Sequence, residues 1–363
     1  MATASYATVL NHTDVDFCVV GECDNALPAL VSGFGTDKPI PSGVAWRDGF
    51  AAVNLVPGNR DDQVRLDSTA LLDFGCWDPT SVGGGSVGFP QTLCYSTVRG
   101  CPHNCSFCAN LLRGNVRLTG EPKLSREFDA LRSTGVEFLN LNDPTFNVDE
   151  SHCMLVCSLM AHYGFGWTCT IRASGLSRSL IRAMHDSGCA AAFLGIETLD
   201  QRLLDTHNKG VSTQDIEDAV DACLAEGLPL VGFFILGLPG ETEESLHRSL
   251  DFVQRYPFPP RAKFATPYPG THLAHLYRNH HQQITEEELL LQLDEVTNGP
   301  DDNTTWGLSK TPRAVLLQYM QEFRSLESER SGASQSGGHV GGSTASRSTG
   351  TRLAKGHLGR GLR

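Results

Sequence analysis

The chain has 363 residues, 40% of them hydrophobic and 8% aromatic, enough to bury a large core in one or two domains. Its formal charge of -12, or -17 once the five Lys/Arg of the acid-free segment 331–363 are set aside, argues against a general positive field that would draw it to nucleic acid. Its longest apolar stretches, 189–196 and 228–238, are too short for a membrane helix, and residues 1–10 lack the basic and apolar regions of a secretory signal, so the expected location is cytoplasmic.

The first element in chain order is Asp16-Phe-Cys-Val-Val-Gly-Glu22, which reads as a short buried strand and a turn, with residues 26–31 starting a helix. A Gly/Pro-punctuated linker follows over residues 51–89. From 90 to 271 apolar runs at 92–98, 136–141, 165–171, 189–196, 228–236 and 262–265 alternate with helix-like segments. Ile216, Ala219, Val220, Cys223 and Leu224 recur at helical spacing between a Ser212/Asp215 capping box and a stop at Gly227, and Leu246, Leu250 and Val253 make a second stripe. Two of the strands are apolar without alternation, as parallel strands covered on both faces require. The pattern predicts an α/β fold, a partial (β/α)6 TIM-like barrel. Residues 272–330 read as a helical extension, with stripes over 285–293 and 312–326. Residues 331–363, with nine Gly and six Ser, read as a disordered tail.

Twelve cysteines in a chain of this size without a signal read as thiols or metal ligands rather than disulfides. Three of them stand in Cys101-Pro-His-Asn-Cys105-Ser-Phe-Cys108, directly after the first barrel strand, at the end where βα loops build active sites. Three thiolates at this spacing can take three irons of a cubane and leave the fourth open to an exogenous ligand. The same cysteines with His103 or a distant ligand would also suit zinc, and spacing by itself leaves both readings open.

The run from Arg99 through these cysteines, with Phe107 as the aromatic before the third, resembles the signature of the radical S-adenosylmethionine (SAM) superfamily. The resemblance implies a [4Fe-4S] cluster on Cys101, Cys105 and Cys108, whose fourth iron chelates the amino and carboxylate groups of SAM. One electron then cleaves SAM to methionine and a 5'-deoxyadenosyl radical, which abstracts hydrogen from the substrate. Asn142 and Asp143, in Asn140-Leu-Asn-Asp-Pro-Thr-Phe146, stand where the family contacts the SAM amino group, though a polar turn capping the next helix accounts for them equally. Arg172 would pair with the SAM carboxylate or join a structural ion pair. Glu197, in Gly195-Ile-Glu197, resembles the ribose-binding carboxylate. Gly232 and Gly237, in Gly232-Phe-Phe-Ile-Leu-Gly-Leu-Pro-Gly-Glu241, resemble the motif whose backbone approaches adenine, with Glu241 near a helix N-terminus. Cys153, Cys157 and Cys169 read as buried thiols rather than a second cluster.

Thr266-Pro-Tyr-Pro-Gly-Thr271 and His207-Asn-Lys-Gly210 resemble the branch that carries an N-terminal cobalamin-binding domain, and residues 1–50 resemble a remnant of the end of that Rossmann-like domain. The D-x-H-x-x-G loop that would supply the cobalt ligand is absent, and His12 is the one histidine before His103, so cobalamin is not expected to bind through it and is doubtful as a cofactor. The implied activity is radical chemistry (methyl transfer, cyclisation or rearrangement) on a small-molecule or metabolite substrate, with an electron donor such as flavodoxin or ferredoxin. A non-catalytic cluster- or SAM-binding protein and a zinc-stabilised α/β protein are the competing readings.

Overall fold

The computed structural model describes residues 4–47, 49–50, 66–68, 92–109, 116–280, 284–298 and 305–335. Almost all of the expected linker and the tail beyond residue 335 lie outside the described residues. The N-terminal unit holds α1 (Tyr6–His12), β1 (Phe17–Val19), α2 (Ala26–Gly33), β2 (Val44–Trp46) and β3 (Gly49–Phe50), with the three strands in one antiparallel sheet. Leu10, Cys18, Val20 and Ala45 form its small core.

The barrel begins at β4 (Thr92–Tyr95), followed by the short pair β5 (Val98–Arg99) and β6 (Arg117–Leu118) and helix α3 (Glu121–Ser133). It continues through β7 (Phe138–Leu141), α4 (Glu150–Tyr163), β8 (Gly166–Ile171), α5 (Arg178–Asp186), β9 (Cys189–Glu197), α6 (Gln201–Thr206), α7 (Thr213–Ala225), β10 (Leu230–Leu236), α8 (Glu243–Arg255) and β11 (Pro260–Phe264). Six strands pair in parallel in the order β4-β7-β8-β9-β10-β11. Each strand's C-terminus therefore opens at the same end of the sheet, where a partial barrel assembles its site.

One face of the sheet is apolar because the helices cover it. Leu139 stands beside Trp167, Leu141 beside Cys169, and Cys169 beside Ala192, all within one buried cluster that includes α3, α4, α5, α7 and α8 residues. The opposite face carries a polar ladder: Cys94, Asn140 and Thr168 are in register, Thr168 Oγ1 donates to Asn140 Oδ1 at 3.0 Å, and Cys94 is exposed. The helix signals read from sequence hold locally. Ser212 and Asp215 form the capping box of α7, and Thr242 with Ser245 forms another on α8.

Two expectations change. The first strand does not run unbroken over 92–98, because the backbone at Thr97 and Val98 is captured by Asp143 and leaves the sheet to make β5. After α9 (His272–His280) and α10 (Glu286–Asn298), helix α11 (Arg313–Gln335) extends past residue 330, so residues 331–335 are helical rather than part of the tail. Leu316, Tyr319, Met320 and Phe323 of α11 join the barrel core, and Arg330 Nη1 donates to the carbonyls of Val253 and Phe258, both at 2.9 Å.

Candidate SAM and iron-sulfur site

The three cysteines lie in the loop that leaves β5, with Cys101 and Cys105 buried. Ser106 fastens this loop directly to two others and, through His207, to a third. Its N–H donates to the His207 carbonyl at 3.0 Å, its carbonyl accepts from His272 N at 3.1 Å, and its hydroxyl lies 2.7 Å from His207 Nδ1. His207 Nε2 is 3.0 Å from the Pro239 carbonyl, which can only accept, so Nε2 carries the hydrogen. Burial lowers the His207 pKa, favouring the neutral ring, whose Nδ1 then accepts from Ser106. The cysteine loop is thereby tied to the loops after β9, β10 and β11.

Arg172 follows β8 and is 5% exposed, with Nη1 3.9 Å from Cys105 Sγ. Its Nε and Nη2 are buried and have no hydrogen-bond partner. Buried guanidinium donors call for an anionic acceptor, and the planar fork suits a carboxylate. At the end of β9, Glu197 takes φ +66, a left-handed conformation uncommon outside glycine and characteristic of constrained functional positions. Its Oε1 accepts from Lys209 Nζ at 2.7 Å, and that ammonium sits 5.9 Å from the Phe107 ring centroid. A Cβ at Gly195 would fall 2.8 Å from both Glu197 Oε1 and Lys209 Nζ, so a side chain there would push this ion pair out of its present position.

Three expected ligand positions have other work. Asp143 is buried, and its oxygens accept from Thr97 N and Oγ1 at 2.7 Å and Val98 N at 2.8 Å. It clasps the approach to Cys101 instead of reaching toward SAM. Asn142, its neighbour, is exposed at the end of β7. Gly232 lies on the helix-covered face, where a Cβ would meet Phe258 at 2.5 Å, so packing by itself accounts for a glycine there. Gly237 takes φ +85 just beyond β10, and its N–H donates to the buried Glu241 carboxylate. Glu241, the residue before the Thr242 N-cap of α8, thus stands at that helix's N-terminus and also holds the loop from beneath, and burial pushes its pKa up to about 8. The C-terminal segment closes on this loop, with Thr311 Oγ1 donating to the Glu241 carbonyl at 2.9 Å. Lys209 and His207, read in the sequence as branch markers alone, belong to the site itself.

Burial raises the Asp143 pKa to about 6 although the bonds from Thr97 and Val98 oppose it. The folded state thus holds this proton more tightly than the unfolded chain, whose carboxyl titrates near 3.8. The resulting stability is complete below the unfolded value and is lost as pH rises through the folded one. Urea denaturation should show wild-type stability falling relative to Asp143→Asn between those two values; parallel pH profiles would contradict the assignment.

The donor set suits a cluster and SAM: three thiolates can each take a different iron of a cubane and leave the fourth open, and the two orphaned Arg172 nitrogens beside Cys105 offer a carboxylate its place. Cys153 and Cys157 have pKa values pushed to about 12 by burial and behave as protonated core thiols.

Fold and site together define an α/β partial barrel with a cysteine-loop site at the C-terminal ends of its strands. Residues 95–253 match the Radical SAM superfamily, and this part of the chain is a radical SAM domain. An uncharacterized methyltransferase of Pyrococcus horikoshii is 27% identical over 71% of this chain and 57% of its own length. The bacteriochlorophyllide d C-8(2)-methyltransferase of Chlorobaculum tepidum is 26% identical over 72% of this chain and 58% of its own. The chain thus spans less than two thirds of either relative. Among solved structures, the radical SAM methyltransferase TsrM from Kitasatospora setae, with cobalamin and a [4Fe-4S] cluster bound, superposes with a TM-score of 0.61 at 16% identity, covering 77% of this chain and 58% of that one. That likeness is one of fold.

Proposed function

We propose that the chain is a radical SAM enzyme in which Cys101, Cys105 and Cys108 hold a [4Fe-4S] cluster with one iron open to SAM. When bound, the cluster supplies the electron that cleaves SAM reductively. Arg172 receives the SAM carboxylate on its two unpartnered nitrogens, and Glu197, oriented by Lys209, accepts hydrogen bonds from the ribose hydroxyls. Ser106 and His207 keep the cysteine loop in place while SAM binds. The observation that carries this reading is the buried guanidinium of Arg172 beside Cys105, with Nε and Nη2 lacking a partner.

The substrate is a small molecule, with methyl transfer favoured over cyclisation or rearrangement because both relatives named above are methyltransferases. An electron donor such as flavodoxin or ferredoxin and a cytoplasmic location complete the proposal. Among the described residues no helix is long and apolar enough to cross a membrane. The chain should be reconstituted anaerobically with iron and sulfide, reduced, and given SAM. Release of 5'-deoxyadenosine and methionine is expected; a stable cluster with intact SAM would instead identify a non-catalytic binding protein.

A further inference from the structure

The cysteine loop has a neck. Strands β5 and β6 close its base in antiparallel register, with Val98 opposite Leu118 and Arg99 opposite Arg117, and Thr119 N donates to the Thr97 carbonyl at 3.0 Å. Two guanidinium groups therefore face each other on one rung, and like charges directly opposite destabilise such a pair. The counter-charges come from the turn after β1. Glu22 accepts from Arg117 Nη1 and Nη2 at 2.5 and 2.6 Å, and Asp24 accepts from Arg99 Nη1 and Nη2 at 2.6 and 2.9 Å. Glu22 Oε1 also lies 3.5 Å from Arg99 Nη1, joining both pairs into one neutral quartet.

Bidentate, charge-assisted pairs of this kind are strong and fix orientation as well as distance. The side chains of Glu22, Asp24 and Arg117 are 13%, 18% and 14% exposed and that of Arg99 33%, so the Glu22–Arg117 pair is the less screened of the two. Gly21, with φ +93, gives the turn its shape. The N-terminal unit is anchored a second time where the Ser5 and Thr8 hydroxyls donate to the Glu286 carboxylate of α10 at 3.0 and 2.6 Å. It is thus held at both the cysteine loop and the C-terminal helices.

We propose that Glu22 and Asp24 are positioning residues for the cluster, holding the neck closed across a repulsive arginine pair two residues before Cys101. The N-terminal unit is then part of the cluster site, whatever its resemblance to a cofactor-binding domain. This rests on the three cysteines being cluster ligands.

The test uses the full chain, reconstituted anaerobically, and follows iron loss to a chelator together with the electron paramagnetic resonance spectrum of the reduced cluster with and without SAM. Glu22→Gln/Asp24→Asn should lose iron about tenfold faster than wild type or more, the scale of one hydrogen bond to a charged group, and its SAM-dependent spectral change should weaken. Adding Arg99→Gln/Arg117→Gln removes the repulsion and should restore retention, a rescue that simple loss of packing would not give. Wild-type retention and spectra in the double variant would overturn the proposal. So would a folded quadruple variant that loses iron about tenfold faster than wild type, an outcome that can be read even if the double variant fails to fold. A wild-type chain that takes up no iron would instead refute the cluster reading itself.

Discussion

Replacing Glu197 by Gln should destabilise the folded chain by about 3 kcal/mol or more, because it leaves a buried ammonium without its counter-ion. The side chains of Lys209 and Glu197 are only 7% and 12% exposed, and their 2.7 Å contact is charge-assisted. Removing one partner of such a pair costs more than removing both, since the remaining ion keeps its desolvation penalty without compensation. Glu197→Gln/Lys209→Met should therefore recover much of the stability lost by Glu197→Gln in urea denaturation. It should not recover SAM affinity, which needs the carboxylate. Equal losses in the single and double variants would show that the unpaired Lys209 ammonium is not what destabilises Glu197→Gln.

Alanine at Cys101, Cys105 or Cys108 should abolish both stable iron binding and SAM cleavage, whereas Cys157→Ala should retain both. The contrast follows from environment. A ligand must be a thiolate, and Cys157, 3% exposed in the apolar core, has its thiol pKa pushed to about 12. Its loss removes packing volume and no ligand. Iron analysis with a 5'-deoxyadenosine assay on the four variants checks this, and full iron content in any of the first three would remove that cysteine from the ligand set.

The parts of this site legible in the sequence are those encoded by short-range chemistry. Parallel strands covered by helices leave continuous apolar runs, so all six barrel strands lay close to their expected positions. A carboxylate ending an apolar strand made Glu197 conspicuous, and three cysteines in eight residues made the loop so. Pairings across the fold were not legible. Asp143 engages Thr97 and Val98 from 46 and 45 residues away, and Glu22 and Asp24 meet arginines 95 and 75 residues away. Nothing local marks either partner. Gly232 shows the limit of local pattern, because a glycine in a strand suits ligand approach and tight packing alike, and only the fold brings the Phe258 ring against it.

The cubane proposed for the cysteine loop, with one iron open to SAM, is tested by iron and sulfide analysis of the anaerobically reconstituted chain together with electron paramagnetic resonance of its reduced form. About four irons and four sulfides per chain are expected, with a spectrum that changes on addition of SAM. One zinc per chain, or a cluster whose spectrum is indifferent to SAM, would contradict it.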